Sequence, residues 1–348
     1  MKNEILRRLS ALALGLALLL NAAPLPQAFA VEDDTDASSS DSADSTDTTD
    51  KTAVTTADSD PTVTAAAANA PALDATAALL VSPESDMVLY EKNADEKRYP
   101  ASTTKIMTAL LTLENVSALS AVVTAEASDF ENVTADSSNA GIKLGEQVTV
   151  KDLLYALMLP SANEAAYMLA RHVSGSWEQF VDMMNERAAE LGCTGTHFCN
   201  PCGLHEDDHY TTAHDLYRIA KQAMKDATFR DIVSTVQHRM AKTNLHEERI
   251  ILTTNQLIFS SFQPWSYANC LGIKTGHTSQ AGNCFVGYAE YGDAKLFSVV
   301  LGCSSSSKEY PTIAASFTDT KSLCQWGFKN FTSKTLARQG EEVTYSRV

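Results

Sequence analysis

Ser102 and Lys105 stand three residues apart in Ser102-Thr103-Thr104-Lys105, at the start of an apolar helical stretch. Side chains at i and i+3 share a helix face, so the lysine amine can reach the serine hydroxyl without help from a distant segment. The pair reads as a nucleophile with its own base. Serine is a poor nucleophile near neutral pH, and Lys105 can take its proton only as a neutral amine. Its pKa must then fall from roughly 10.4 by about two to three units, through burial and a nearby second cation. Alone, Ser-x-x-Lys is a common string that equally fits a capped helix with a surface lysine. Other residues have to decide.

Pro100 and Ala101 precede the serine, and Ile106, Met107, Leu110 and Leu111 follow at spacings that bury one helix face. Ser102 is thereby placed in a first helical turn, where free backbone N–H groups can bind an oxyanion. Val150 to Leu159 reads as a helix stopped by Pro160, so Ser161-Ala162-Asn163 occupies a break before a helix starting near Glu164. Such a loop can present both polar side chains to a cleft. Ile273-Lys274-Thr275-Gly276 falls at the end of a strand, where Lys274 offers the second cation, Thr275 a hydroxyl and Gly276 room for a substrate backbone.

The elements that must position these groups follow from pattern. Ala77 to Val81 and Met87 to Tyr90 read as a hairpin around Ser82-Pro83-Glu84-Ser85-Asp86. Helical periodicity dominates from about Ser102 to Asp226. Strand character returns in Leu271 to Thr275, Cys284 to Ala289 and Leu296 to Leu301, and a last helix is predicted from Pro311 to Phe328. Strands at both ends with helices between them imply one sheet assembled from distant segments. The predicted class is α+β, an antiparallel sheet flanked by helices with a mostly helical insertion.

The first thirty residues lie outside that domain. Lys2, Arg7 and Arg8 form a basic start, Leu9 to Leu20 an apolar run too short to span a bilayer well, and Ala28-Phe29-Ala30 a cleavage site, so residues 1–30 read as a signal peptide of an exported protein. Residues 31–71 are Ser, Thr, Ala and Asp with almost no large apolar side chain and read as a disordered acidic linker. The chain carries 43 acids against 27 bases and shows no basic patch, which argues against a nucleic-acid partner. Seven cysteines leave at least one unpaired within the chain. A hairpin turning at Asp293-Ala294 would set Cys284 opposite Cys303, the favoured disulfide. Cys199-Asn200-Pro201-Cys202 has a redox or zinc spacing but no second such pair. His205-Glu206-Asp207-Asp208-His209 matches a zinc-peptidase string, yet Pro201, Gly203 and the paired aspartates mark a loop, and that motif needs a helix. No metal or other cofactor is expected.

Ser-x-x-Lys, Ser-x-Asn and Lys-Thr-Gly in this order are the signatures of penicillin-recognising serine enzymes. The chain resembles the low-molecular-mass penicillin-binding proteins, specifically the serine D-Ala-D-Ala carboxypeptidases. The likeness runs over roughly residues 76 to 328. It includes Val88-Leu89-Tyr90-Glu91-Lys92-Asn93, Pro100 through Thr108, Gly145-Glu146, Leu153-Leu154, Asn200-Pro201, Gly203-Leu204, His209 through Ala213 with Asp215, Thr254-Asn255 and Lys274 through Thr278. The resemblance implies a β-lactamase/transpeptidase-like catalytic domain over 72–328. It further implies Ser102 as acylated nucleophile, Lys105 as base, Ser161 as proton shuttle and Asn163 as partner of substrate amides. Lys274 and Thr275 would hold the terminal carboxylate beside Gly276, and the backbone N–H groups of Ser102 and His277 would form the oxyanion hole. The implied substrates are peptidoglycan stem peptides, with β-lactam antibiotics as covalent inhibitors.

Other readings stay in view. A D,D-endopeptidase acting on cross-links uses the same groups. A serine β-lactamase shares the motifs, but no convincing Glu-x-x-Leu-Asn segment stands between Ser161 and Lys274 to position a deacylating water. A non-enzymatic wall-binding protein would not need all three motifs. Members of the family commonly continue into an all-β domain and an amphipathic anchor, whereas residues 329–348 read as a tail or the start of a second domain. Membrane attachment through the C-terminus is therefore unsupported, and the expected location is the extracellular or cell-wall space.

Overall fold

A computed structural model describes residues 69–331 apart from 135–136 and 260–261, together with the backbone of 52–53. The predicted signal peptide, nearly all of the acidic linker and the tail beyond 331 lie outside the described residues.

The sheet begins as the predicted hairpin. Strands β2 (Ala77–Ser82) and β3 (Met87–Lys92) are joined by Pro83 to Asp86, with Asp86 in the left-handed region at φ 54°. Two residues, β1 (Thr52–Ala53), add to the outer edge of β3. After the helical part the chain returns as β8 (Cys270–Thr278), β9 (Gly282–Tyr291) and β10 (Ala294–Cys303). β10 pairs with β2, Val299 opposite Leu79, and the order β1-β3-β2-β10-β9-β8 is antiparallel throughout. β8 is thus an outer strand. On its outer side β8 has no strand neighbour among the described residues, which leaves an edge able to pair with an extended peptide.

Both faces of the sheet are covered, so its central strands read as continuous apolar runs rather than alternations. Leu79, Val81, Val286, Val299 and Leu301 pack towards the helical layer, whereas Leu80, Phe285, Leu296 and Val300 pack towards α8 (Ala315–Asn330). Full burial of each such side chain contributes about 1.5–3 kcal/mol. The helical layer contains a 3-10 turn (Ala101–Thr104) leading into α1 (Lys105–Asn115), then α2 (Val150–Met158), α3 (Asn163–Ser174), α4 (Trp177–Glu190), α5 (Ala213–Ala223) and α6 (Ala227–Ser234). Two small hairpins, β4 (Val122–Thr124) with β5 (Gln147–Thr149) and β6 (Gln237–Met240) with β7 (Arg249–Leu252), decorate it. A one-turn helix, α7 (Gln256–Phe259), precedes β8. The buried Glu146 joins these hairpins, taking hydrogen bonds from Arg249 at 2.8 Å, Thr243 at 3.0 Å and the Lys143 N–H at 3.0 Å.

The architecture is the expected α+β arrangement, and four details differ. All seven cysteines are free thiols. The β9–β10 turn sits one residue earlier than predicted, with Tyr291 opposite Ala294, and a bulge before Cys303 sets that residue opposite Asn283. A one-residue offset reverses a strand side chain. Cys284 accordingly lies in the helical-side core and Cys303 in the α8-side core, so the predicted disulfide does not form. The last helix starts at Ala315 rather than Pro311, because residues 304–315 close a turn in which Ser307 N–H donates to Ile313 O and Ala315 N–H to Ser304 O. β8 does not end at Thr275 but continues to Thr278.

Candidate active site

Ser102 lies in the 3-10 turn, and Lys105 is the first residue of α1. Lys105 Nζ is 3.0 Å from Ser102 Oγ, within reach of its proton. The amine also donates to Asn163 Oδ1 at 2.7 Å and to the Cys202 carbonyl at 2.6 Å. Its side chain is 0% exposed, and burial pushes its pKa down to about 8 against the opposing influence of Cys202 and Glu164. A neutral lysine beside a serine hydroxyl is therefore available at mildly alkaline pH.

The turn carrying Ser102 is clamped from several sides. Thr103 Oγ1 donates to Pro100 O at 2.7 Å, and Thr108 Oγ1 donates to Pro201 O at 2.6 Å. His209 is buried beneath it. Its Nδ1 accepts the Cys199 N–H at 3.1 Å, so Nε2 carries the ring proton and donates to Thr104 Oγ1 at 2.8 Å. Burial lowers the His209 pKa to about 3, keeping it neutral and structural. Segment 205–209 is a turn, not the helix a zinc string needs. His209 points beneath Thr104, while His205 stacks edge-on against Tyr99 in the cleft wall.

Two glycines press on the Ser102 backbone. A Cβ on Gly276 would meet Pro100 O at 2.9 Å, Ser102 N at 3.0 Å and Thr103 N at 3.1 Å. A Cβ on Gly203, at φ +84°, would lie 1.9 Å from Ala101 O and 3.0 Å from Ser102 N. Gly276 was expected to make room for substrate. It lines the cleft and also lets the turn carrying Ser102 approach β8.

Ser161, Asn163, Thr275, Gly276 and His277 join Ser102 around one cleft of about 600 Å³. Ser161 is held at φ 66°, and its buried Oγ has no hydrogen-bond partner among the described residues. Lys274, 1% exposed, donates to Thr275 O at 3.2 Å. Its pKa lies well below the ordinary lysine value because of burial first and the charge of Lys105 second. The expected second lysine is thus buried in the same site, but burial is what depresses Lys105. Thr275 Oγ1 is 2.6 Å from Thr254 Oγ1, and His277 Nδ1 is 3.3 Å from Gly282 O.

Against known proteins, residues 64–305 match the model of the peptidase S11 family, described as D-alanyl-D-alanine carboxypeptidase. The chain belongs to this carboxypeptidase family. It is accordingly a hydrolase by family. It is 31% identical over 276 residues to the carboxypeptidase DacF of Bacillus subtilis, covering 79% of this chain and 67% of that protein. It is 36% identical over 253 residues to the D-alanyl-D-alanine carboxypeptidase of Streptomyces sp. K15, covering 69% and 82%. The crystal structure of the Streptomyces K15 DD-transpeptidase superposes with a TM-score of 0.67 at 33% identity, over 75% of this chain and 99% of that one. The D-alanyl-D-alanine carboxypeptidase of Mycobacterium tuberculosis gives 0.66 at 30% identity, over 75% and 93%. The predicted penicillin-binding fold is thereby shown.

Within this carboxypeptidase-family site, motif reading missed three contributors. The Cys202 carbonyl fixes Lys105, and a backbone oxygen leaves no residue-type signal. Thr254, placed by the strand of residues leading from β7, orients the Thr275 hydroxyl; its sequence trace is the Thr254-Asn255 pair. Glu164 follows Asn163 and looks in sequence like a solvent-facing helix residue, yet it is 1% exposed.

Proposed function

We propose that the protein is a serine D-Ala-D-Ala carboxypeptidase that removes the terminal D-alanine of peptidoglycan stem peptides through an acyl-enzyme. The observation that carries this is the fully buried Lys105 amine 3.0 Å from Ser102 Oγ, at the floor of a cleft bordered by a free strand edge. A stem peptide adds to the edge of β8, and its terminal carboxylate meets Lys274 and the Thr275 hydroxyl, which Thr254 orients. Neutral Lys105 takes the Ser102 proton as Oγ attacks the penultimate carbonyl carbon. The oxyanion is met by the backbone N–H groups of Ser102 and His277. Breakdown of the tetrahedral intermediate breaks the C–N bond, and the proton reaches the departing amine from Lys105 through Ser161, whose hydroxyl has a free hydrogen-bonding capacity in the cleft. Asn163 holds Lys105 and faces substrate amides. Water then releases the shortened stem from Ser102, and β-lactams acylate the same oxygen.

The reading extends to export, with cleavage after Ala30 and residues 31–71, apart from Thr52–Ala53 paired on β3, as a solvated tether to the catalytic domain at 72–328. Among the described residues no helix is long and apolar enough to cross a membrane. Incubation with labelled penicillin followed by peptide mapping is expected to place a stable adduct on Ser102, and pentapeptide is expected to release D-alanine. Rapid turnover of the penicillin would point to a β-lactamase, and cleavage of cross-linked dimers in preference to pentapeptide would point to an endopeptidase. Absence of any adduct would remove the enzymatic reading.

A further inference from the structure

Glu164 is a buried carboxyl that the acylation scheme above does not use. It sits in the first turn of α3, directly after Asn163. Its Oε1 accepts the Ala140 N–H at 2.6 Å and the Ile142 N–H at 3.4 Å, while the Asn163 N–H donates to Ser138 O at 2.9 Å. These bonds sew residues 138–142 to the turn that presents Ser161 and Asn163. Ser137 and Ser138, at one end of that segment, line the catalytic cleft. The second carboxyl oxygen, Oε2, is buried with no hydrogen-bond partner among the described residues.

A buried carboxylate with an unsatisfied oxygen is costly unless a positive charge lies near it. Lys105 supplies that charge, since its amine is bonded to the side chain of the adjacent Asn163. The groups around Lys105 come from every neighbouring element. They are Ser102 on its own turn, Asn163, Glu164 and the Tyr167 hydroxyl side on α3, Cys202 and neutral His209 on the loop below, and Lys274 on β8. Glu164 favours the protonated amine, and the charge of Lys105 in turn disfavours one on Lys274. Burial raises the Glu164 pKa, and its backbone donors and Lys105 oppose that rise.

We propose that Glu164 is a positioning residue for acylation: Oε1 anchors the cleft wall at 138–142, and the carboxylate charge stabilises the protonated form of Lys105. This rests on the carboxypeptidase reading of the site. Glu164→Gln separates the two roles, because its side-chain oxygen can still accept from Ala140 while the charge is lost. Acylation of the full-length protein by fluorescent penicillin, followed from pH 5 to 10, is expected to keep its alkaline plateau within about threefold. The acid limb is expected to move to lower pH by about half to one unit, so that at pH 6 the variant acylates roughly 3–10 times faster than wild type. Glu164→Ala is expected to show the same shift together with an approximately tenfold lower plateau and faster amide exchange at Ala140 and Ile142. An unshifted acid limb in Glu164→Gln would overturn the electrostatic role, and a full plateau with unchanged exchange in Glu164→Ala would overturn the anchoring role. Should Glu164→Ala fail to fold, as judged by its melting profile, exchange in the folded Glu164→Gln protein decides the anchor: protection at 140 and 142 must match wild type. Failure of the wild-type protein itself to acylate would instead strike the carboxypeptidase reading.

Discussion

Gly276→Ala adds one methyl group at the point where β8 crosses the nucleophile turn. The alanine backbone is unstrained there, so the whole effect comes from contact. The added carbon would sit 2.9 Å from Pro100 O, 3.0 Å from Ser102 N and 3.1 Å from Thr103 N, where ordinary contact begins at 3.4 Å. All three are main-chain atoms, and no rotamer change can move them aside. β8 and the turn must separate by about 0.3–0.5 Å, a form of overpacking that typically costs 1–3 kcal/mol of stability. The rate suffers more, because Ser102 N is one of the proposed oxyanion donors. Losing such a donor outright costs about 10²–10³ in rate, so partial displacement is expected to slow acylation by roughly 10–100-fold. Fluorescent-penicillin acylation at pH 9, with a melting curve on the same sample, measures both. Gly203→Ala makes the contrast: a carbon 1.9 Å from Ala101 O at φ +84° cannot be absorbed, and that variant is expected not to fold. If Gly276→Ala acylates within threefold of wild type at an unchanged melting temperature, the glycine does not set the geometry of the turn.

Because burial lowers the Lys105 pKa to about 8 and the neutral amine is the proposed base, acylation is expected to rise with pH. The increase from pH 7 to pH 9 should be roughly tenfold with a midpoint near pH 8, and a flat profile of the penicillin rate constant would contradict the base assignment. Thr254→Val removes the 2.6 Å contact that orients Thr275 Oγ1. It is expected to weaken carboxylate-terminated substrates about five- to tenfold, chiefly in KM, with melting unchanged; an effect confined to kcat would place Thr254 elsewhere in the reaction.

The site geometry was legible where it lay in side chains at fixed spacing. An i, i+3 serine and lysine share a face on a 3-10 turn much as on an α-helix, so the slight difference in helix type did not disturb the inference. The opening hairpin declared itself through Pro83 and Asp86. Ending β8 at Thr275 failed because a glycine need not stop a strand; Gly276 continues it and admits the backbone of the Ser102 turn. The cysteine pairing failed for a similar reason: the hairpin was visible, but a turn shifted by one residue and a bulge sent Cys284 and Cys303 to opposite faces. Pro311 suggested a helix start, while the hydrogen bonds of Ser307 and Ala315 closed a turn there first. Glu164 and the Cys202 carbonyl were invisible, since nothing in residue type distinguishes a helix glutamate held by two loop amides from one in water.

The two buried lysines make different demands on protons, and the difference explains how one cleft can both bind and activate. Lys105 has three oxygen partners, at 2.6, 2.7 and 3.0 Å, whereas the one hydrogen bond of Lys274 among the described residues is a 3.2 Å contact with Thr275 O. An ammonium group with unused donors in a dry site is the less stable of the two, and the direction of the Lys274 pKa agrees. In the free enzyme the better-coordinated Lys105 holds a proton more readily. In the proposed mechanism a carboxylate arriving beside Thr275 would supply the acceptor that Lys274 lacks and stabilise its charged form, and that charge would in turn disfavour a proton on Lys105. Substrates with a terminal carboxylate would thereby raise the fraction of neutral base only when they are in place, while Glu164 restrains that fraction in their absence.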